Sequence, residues 1–514
     1  MAKGLLDLPF EILTQICQSW CLHCTGLNAS HGTAQGRSVD LESWNTGPLA
    51  AELGQDQVGD DGEQATLARL CRTCRHLKAV AQPILYHDFV TRKHEDLFNL
   101  VRTLLQRADL CPQVQRLAIS TSGSGWVYGK EDVERFQHHA RNLDLFLSPG
   151  LSTLLSHTCT WTAREHSPLR QLWSTTTSSE PAVLQELLLL LLPLVPHVKE
   201  AYIQLLPSTQ QAVDYRDTEA QAVFQLPELR ELSFRPRPAT TPTWFSRPDV
   251  LPILICPKLR YLDIRFCTEA LKFRLGNGDT VQRHEDAGLR EAPPFSLRNL
   301  TVLRVTGCRV SKTFLESMLG QIGPHLTTFT LVLGYLWNTQ TAGDLLPDDV
   351  NPAQVLDSLL PWAQTLRTIR LDLSKAMPRA VKLRKDDLIT SFSQFSRLNK
   401  LELDLSCVYI AQLDGLLMFG VDTAQADWDL LLNLLPDSIR EFVLNGPTHR
   451  VYDALEELSD RAASGSFKDL VEVRCDDGPV AHLEHLRDRF GIAGVSFSLR
   501  VPKYGFRHKF TGMF

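Results

Sequence analysis

The sequence predicts an α/β repeat fold in which short parallel strands alternate with helices, preceded by a small N-terminal helical domain. Three observations predict it: a six-residue apolar pattern that recurs along most of the chain, helical patterns between its copies, and an N-terminal helical segment interrupted by a polar stretch. One short strand cannot bury its apolar side alone, so the copies must stack with helices behind them. We expect a curved array with parallel strands on the concave side and helices on the convex side.

Size and composition agree with this fold class. The 514 residues exceed what one ordinary core accommodates, which favours several domains or a repeat array. Hydrophobic residues make up 43% of the chain and charged residues 22%, values typical of a folded, soluble protein. The formal net charge of -6 provides no basic surface for phosphates, so we expect no nucleic-acid partner.

The N-terminal domain is predicted from two helical segments. Residues 5–22 carry apolar side chains at helical spacing, with Pro9 where a first turn tolerates proline. Helical periodicity returns at residues 66–90. Residues 25–65 between them are rich in Gly, Ser, Gln and Asp without a sustained period, which predicts a flexible insertion. We therefore expect a helical domain over residues 1–90.

The repeat itself reads apolar-x-x-apolar-x-apolar and follows a polar or proline-bearing lead-in. In the second half its spacing is about 26 to about 41 residues, within or somewhat beyond the periods of solenoids. A linker helix over 91–110, a solenoid over 111–501 with a closing strand at 494–501, and a tail over 502–514 follow from these positions. The predicted strand segments are Val114–Ile119, Val198–Ile203, Leu229–Phe234, Leu259–Ile264, Leu300–Val305, Leu326–Leu331, Leu366–Leu371, Leu398–Leu403, Ile439–Leu444 and Leu470–Cys475.

Helical patterns lie between the predicted strands and return the chain to the start of the next strand. The apolar run Leu184–Val198 is too short to span a bilayer and contains prolines, so we expect a buried helix ending at Pro193 and no contact with a membrane. The clearest helical patterns cover 312–322, 353–363, 427–436, 453–462 and 481–490.

The polar positions of the strands predict a binding face for a protein substrate, because they point into the concave side of the array. Earlier repeats carry basic residues and later ones acidic residues at equivalent positions, which would select a partner of opposite polarity. Simple solvation of exposed charges is the alternative. The candidate residues are Arg235, Arg260, Tyr261, Asp263, Arg265, Arg304, Arg370, Asp372, Glu402, Asp404, Arg474 and Asp476.

Cysteine usage favours a reducing compartment, the cytoplasm or the nucleus. The 12 cysteines are spread without the density of a disulfide scaffold, and no secretory signal pattern opens the sequence. Two C-x-x-C pairs, Cys21–Cys24 and Cys71–Cys74, raise the possibility of a zinc site. The second pair lies on an apolar helix face, where cysteine behaves as a small hydrophobe. We expect packing rather than metal binding, although two histidines near the first pair keep zinc open.

The N-terminal motifs resemble an F-box. LLDLPFEILTQI is similar to its opening, and TLARLCRTCRHLKAVAQPILYHDF to its second half with the closing Pro-x-Leu-Tyr; the insertion between them departs from the family. Together with the repeats, the chain resembles the F-box/leucine-rich-repeat proteins, most of all divergent fungal members. The resemblance implies that the F-box residues bind a Skp-type adaptor. They are Leu8, Pro9, Glu11, Ile12, Leu13, Ile16, Leu67, Leu70, Cys71 and Leu77.

The resemblance further implies a substrate receptor of an SCF (Skp–cullin–F-box) ubiquitin ligase, joined through the adaptor to the cullin-RING ligase. The sequence contains no G-x-S-x-G, H-E-x-x-H, P-loop or Rossmann motif, so we expect neither catalysis nor a cofactor in the chain itself. Two alternatives remain: an F-box/leucine-rich-repeat scaffold acting outside a ligase, and a repeat scaffold whose N-terminal helices only cap the open end of the array.

Overall fold

The computed structural model describes most of the predicted elements. Its described residues are 7–21, 24, 61–91, 94–119, 130–142, 187–188, 190–205, 223–236, 253–265, 297–308, 310–333, 350–373, 385–408, 430–447, 451–477 and 480–499. The helices are α1 (Phe10–Gln18), α2 (Asp61–Thr73), α3 (Arg75–Leu85), α4 (His94–Gln106), α5 (Lys130–Asn142), α6 (Lys312–Leu319), α7 (Pro352–Leu359), α8 (Leu430–Leu434), α9 (Tyr452–Ala463) and α10 (Val480–Ile492). The strands are β1 (Asp88–Thr91), β2 (Arg116–Ile119), β3 (Glu200–Leu205), β4 (Val223–Gln225), β5 (Glu231–Pro236), β6 (Ile253–Ile255), β7 (Tyr261–Arg265), β8 (Val302–Cys308), β9 (Thr328–Leu333), β10 (Thr368–Asp372), β11 (Lys400–Asp404), β12 (Glu441–Pro447), β13 (Glu472–Asp477) and β14 (Ser496–Leu499).

The described chain is an α/β fold built on a parallel sheet. Twelve of its strands form one sheet in the linear order β1-β2-β3-β5-β7-β8-β9-β10-β11-β12-β13-β14, and β4 pairs with β6 in a separate two-stranded sheet. The registers from β1 to β5 and from β8 to β14 are parallel throughout. Successive copies of the six-residue pattern are therefore neighbours in the sheet, and the predicted parallel α/β architecture is confirmed.

The first apolar position of each copy lies in the turn before its strand, and the other two lie on the strand. In the copy at β10, Leu366 is fully buried in that turn, and Ile369 and Leu371 are fully buried on one face of the strand. The backbone N–H groups of Arg367 and Thr368 both donate to the carbonyl of Thr327 in the preceding copy, at 2.8 and 3.1 Å. The pattern thus specifies both the turn and the inward face of each strand.

The residues group by their contacts into two units: Met1–Leu262 with Ala270–Asn299, and Asp263–Glu269 with Leu300–Phe514. In the first unit, α1, α2 and α3 enclose a small core that includes Leu13, Cys17 and Ile84. Helix α3 begins where the Cys74 sulfur accepts a hydrogen bond from the Leu77 amide. This arrangement places the helical domain directly before β1 in the chain.

In the second unit, helices connect successive parallel strands. Helix α7 has a reciprocal capping box in which Asn351 accepts from the Gln354 amide and the Gln354 side chain accepts from the Asn351 amide. At the last strand, the rings of Phe490 and Phe497 stack with centroids 5.4 Å apart, joining α10 to β14. Local capping and helix–strand packing thus hold each copy.

Two boundaries differ from the sequence expectations. Helix α2 begins at Asp61, inside the segment expected to be a flexible insertion; three polar residues and a glycine in its first turn give no apolar periodicity that would mark its start. The sheet begins with β1, which pairs with β2 and lies before the expected start of the solenoid at 111. The rest of the expected insertion, residues 25–60, and the expected tail, 502–514, lie outside the described residues. In the described part of the chain, no helix combines the length and apolarity needed to cross a bilayer.

Candidate functional site

Helix α1 carries two large apolar side chains, two residues apart in the chain, that are exposed to solvent. Leu13 and Cys17 point into the helical core, whereas Phe10 is 51% exposed and Ile12 40% exposed. The Phe10 ring meets the ring of His76 on α3 edge-on, with centroids 6.4 Å apart, so the apolar surface extends toward that helix. We call Phe10 and Ile12 the α1 patch. Among the described residues, the other exposed large hydrophobic side chains are Leu360, Val471 and Ile492.

The residues expected to bind an adaptor fall into three groups by exposure. Pro9, Glu11 and Ile12 are exposed on or just before α1; Leu8, Ile16, Leu70 and Cys71 are partly buried; Leu13, Leu67 and Leu77 are buried. The last group belongs to the helical core and supports the surface from beneath rather than forming it. Phe10 was not among the predicted residues. Its position away from the apolar face of the predicted helix was the feature of the sequence that could have indicated an exposed aromatic side chain.

On the polar face of the first unit, a network of charges joins three strands. Arg116 on β2 donates to Asp88 on β1 at 2.8 Å, and its Nε lies 3.6 Å from a carboxylate oxygen of Glu200 on β3. The guanidinium also lies over the Tyr202 ring, 5.4 Å from its centroid. Burial, followed by the charge of Glu231, raises the pKa of Glu200. Because the Arg116–Asp88 pair is almost fully buried between adjacent strands, the main role of the network is to hold β1, β2 and β3 together.

On the polar face of the second unit, several expected substrate-binding residues pair with neighbours. Asp263 and Arg265 form a buried ion pair at 2.9 Å on β7. Arg370 on β10 lies 3.2 Å from Glu402 on the adjacent β11. These ion pairs neutralise charges that were expected to face a protein substrate. The expected gradient from basic to acidic residues along the strands stays a prediction.

The remaining candidates lie as follows. Arg474 pairs with Glu472 on the same strand at 2.6 Å, and the Asp404 carboxylate accepts a hydrogen bond from the Ser406 amide at 2.9 Å. Arg260 is exposed in the turn before β7, while Tyr261, Arg304 and Asp372 are partly buried on their strands. Arg235 and Asp476 lie on β5 and β13, and their side chains are outside the described part of the structure.

A third feature is a cluster of soft ligands, Cys21, Cys24 and His87, whose candidate ligand atoms all lie within 4.8 Å of one another. The Cys24 sulfur is 3.3 Å from Nδ1 of His87. Burial, and after it the charge of Cys21, raises the pKa of the Cys24 thiol to about 12. In the absence of a cation this thiol is therefore protonated at neutral pH.

The second C-x-x-C pair does not join this cluster in the described structure. Cys71 packs partly buried against the helical core, and Cys74 begins α3 through its contact with the Leu77 amide. His87 was not among the residues that the sequence suggested for a metal site. It lies 63 residues from Cys24 along the chain, so no motif spacing connects it to the first pair.

Comparison with known proteins adds no relative. No family model, no curated protein and no solved structure matches this chain. The resemblance to F-box and leucine-rich-repeat proteins therefore stays a prediction.

Proposed function

We propose that this chain is the substrate-recognition subunit of an SCF-type ubiquitin ligase and catalyses no reaction itself. In this proposal α1 to α3 are an F-box that binds a Skp-type adaptor. The strands and helices that follow are a leucine-rich-repeat solenoid whose polar strand face holds a protein substrate. The observation that carries the proposal is the α1 patch, which lies within the F-box-like segment.

The exposure of the α1 patch supports a protein partner there. Phe10 and Ile12 are about half exposed, so leaving them in water forgoes about half of the stabilisation that full burial gives, about 0.6–1.5 kcal/mol for each side chain. The two side chains lie on one amphipathic helix, and docking an amphipathic helix against an apolar surface is a recurring mode of protein recognition. Leu13 and Cys17 on the same helix are buried in the helical core, which holds α1 in place.

The parallel repeat supports the second half of the proposal. Every copy of the pattern contributes one strand, so polar positions from neighbouring strands form rows across the sheet, such as the partly exposed Thr368, Lys400 and Glu441. Such rows are a large surface for a folded partner. Arg260 and Tyr261, which precede or open β7, are the positions at which we propose that substrate contact begins, because Arg260 is exposed there.

The first experiment removes the α1 patch. The double substitution Phe10→Ala and Ile12→Ala should weaken binding to a Skp-type adaptor by about 10- to 100-fold, since burying the exposed parts of the two side chains contributes about 1.4–2.7 kcal/mol in total. Calorimetry with the purified adaptor measures it. The matched control is Ile492→Ala, which removes an apolar side chain that is 81% exposed on α10 and should leave affinity unchanged.

The outcomes separate the alternatives. Wild-type protein that does not bind the adaptor at all would favour the capping role for the helices, and unchanged affinity of the double variant would place the adaptor elsewhere. A second variant, Leu8→Ala with Pro9→Ala, tests the residues that the F-box resemblance singles out. Two further observations distinguish a ligase subunit from a scaffold. A ligase subunit should co-purify with cullin, and it should also co-purify with a protein that accumulates when the chain is deleted.

A further inference from the structure

The cluster of Cys21, Cys24 and His87 brings together two segments that are distant in the chain. Both cysteines follow the C-terminal end of α1, whereas His87 lies in the turn between α3 and β1. Their ligand atoms lie within 4.8 Å of one another, and the Cys24 sulfur lies 3.3 Å from the His87 Nδ1. The cluster therefore spans the junction between the helical core and the first strand of the sheet.

Backbone hydrogen bonds hold two of these residues, His87 and Cys21, in place independently of their side chains. The carbonyl of His87 accepts hydrogen bonds from the amides of Gln115 and Arg116 on the β2 side, at 3.1 and 2.8 Å. The amide of Cys21 donates to the carbonyl of Gln18 at 3.0 Å. A site whose backbone is already fixed loses little entropy when a ligand orders its side chains.

Cys21 is 3% exposed and belongs to the helical core, but the surroundings of Cys24 and His87 differ from those of cysteines that serve only as core residues. Cys17 and Cys407 are buried, at 2% and 0% exposure, and belong to no such group of ligands. Cys24 and His87, in contrast, are only partly buried, which leaves solvent access beside two strong ligand atoms. Thiolates and imidazole are the ligands that zinc prefers in proteins.

We propose that Cys21 Sγ, Cys24 Sγ and His87 Nδ1 bind one Zn²⁺, which clamps the end of α1 to the start of β1. With Zn–S near about 2.3 Å and Zn–N near about 2.0 Å, the edge of a tetrahedral site measures about 3.5 Å. The separation of 3.3 Å between Cys24 and His87 is close to that edge. A water molecule from the open side completes the coordination.

Binding displaces protons rather than electrons. Zn²⁺ replaces the S–H protons of Cys21 and Cys24, both of which pass to solvent, and His87 contributes a lone pair from Nδ1, so the redox state of every atom is unchanged. This inference is independent of the proposed function, since it concerns only how the helical domain is fastened to the sheet.

The test measures metal in the full-length protein, purified under reducing conditions without chelator. Mass spectrometry of the metal content should find about one zinc per chain. Added Co²⁺ should produce a thiolate-to-cobalt charge-transfer absorption. The variants Cys24→Ser and His87→Gln should each lower the zinc content at least about tenfold. Because both residues are partly exposed, these substitutions should leave the circular dichroism spectrum unchanged.

The matched control is Cys71→Ser, which alters a partly buried cysteine of the other C-x-x-C pair and should retain about one zinc per chain. Three results would overturn the proposal. One is reduced wild-type protein without zinc or cobalt–thiolate absorption. Another is a Cys71→Ser variant that loses zinc as fully as Cys24→Ser does. The third is a Cys21–Cys24 disulfide, found by mass spectrometry in freshly purified protein that contains no zinc.

Discussion

Single charged side chains on the strands differ in how deeply the fold buries them, and that depth sets their energetic role. Arg116 and Asp88 form an ion pair, and their side chains are 7% and 6% exposed, respectively. Arg107 and Asp109 form a pair of similar length whose side chains keep 44% and 61%. Removing one partner of a buried pair leaves an uncompensated charge out of water, whereas an exposed charge recovers its hydration.

We therefore expect Arg116→Ala to lower the free energy of unfolding by about 3–5 kcal/mol, because the Asp88 carboxylate then loses its guanidinium in a dry site. Arg107→Ala removes the same atoms from a solvated pair and should leave stability nearly unchanged. Denaturant unfolding followed by circular dichroism measures both. Equal shifts in the two variants would show that the buried network adds nothing beyond side-chain packing.

At the scale of elements, the repeated strands were predictable because their pattern encodes two structural features together. The spacing of Leu366, Ile369 and Leu371 specifies a buried turn residue and an inward strand face, and each copy of the pattern became a strand of the sheet. Strand β1 has only four residues and no such pattern, so nothing in the sequence marked it. The three-residue strands β4 and β6 escaped for the same reason.

The sites were less predictable than the elements because they depend on exposure and on distant contacts. Helical periodicity identified Leu13 and Leu67 as apolar residues of the F-box-like helices, but periodicity alone does not tell a core face from a partner face. Likewise, the polar positions of β7 were identified, yet the pairing of Asp263 with Arg265 requires side-chain geometry. His87 joins the cysteines only through the fold.

An irregularity near the end of β12 depends on a particular glycine. Gly446 has φ of +106°, and a Cβ added there would lie 3.3 Å from the Cβ of Leu405. The register with β13 shifts between Leu444 and Pro447, so this left-handed residue forms the irregularity in the strand. Gly446→Ala should lower the free energy of unfolding by more than about 1 kcal/mol, through both backbone strain and crowding.

Two other glycines separate those causes. Gly465 also has a positive φ, +85°, but open space around its Cβ position, so Gly465→Ala tests strain without crowding and should cost less. Gly491 lies on α10 with open space and no positive φ, so Gly491→Ala should be neutral or stabilising by up to about 1 kcal/mol. Thermal unfolding of the three variants measures the order; a Gly446→Ala variant as stable as Gly491→Ala would contradict the strain argument.

At the scale of the whole molecule, the two proposals for the helical domain concern the same helix, α1, although neither requires the other. The α1 patch can present an adaptor in a fixed direction only if α1 is fastened to the sheet of its own unit. Within that unit, α1 is held by its packing onto α3 and, in our proposal, by the zinc site next to β1. A receptor that positions a substrate needs such stiffness, because a flexible joint spreads the substrate over many orientations.

The repeat architecture of the second unit makes a further prediction about how it unfolds. In a solenoid each repeat contacts only its neighbours, so damage should stay close to the altered repeat. Phe490 at the last repeat and Phe329 on β9 are both fully buried, and replacing either by Ala should cost about 3–5 kcal/mol. The two substitutions remove the same atoms at two positions in the array, which makes them matched tests.

Hydrogen–deuterium exchange measured by mass spectrometry locates the damage. Phe490→Ala should raise exchange in α10, β13 and β14, because the lost ring supported Phe497 through their stacking, and should leave β9 and β10 protected. Phe329→Ala should raise exchange in β9 and in its two neighbours β8 and β10, and leave β14 protected. If both variants raise exchange to the same extent in every strand from β8 to β14, the second unit unfolds as a single cooperative core. That result would contradict the proposed leucine-rich-repeat solenoid, since a one-dimensional stack transmits the loss of one side chain mainly to the adjacent repeats.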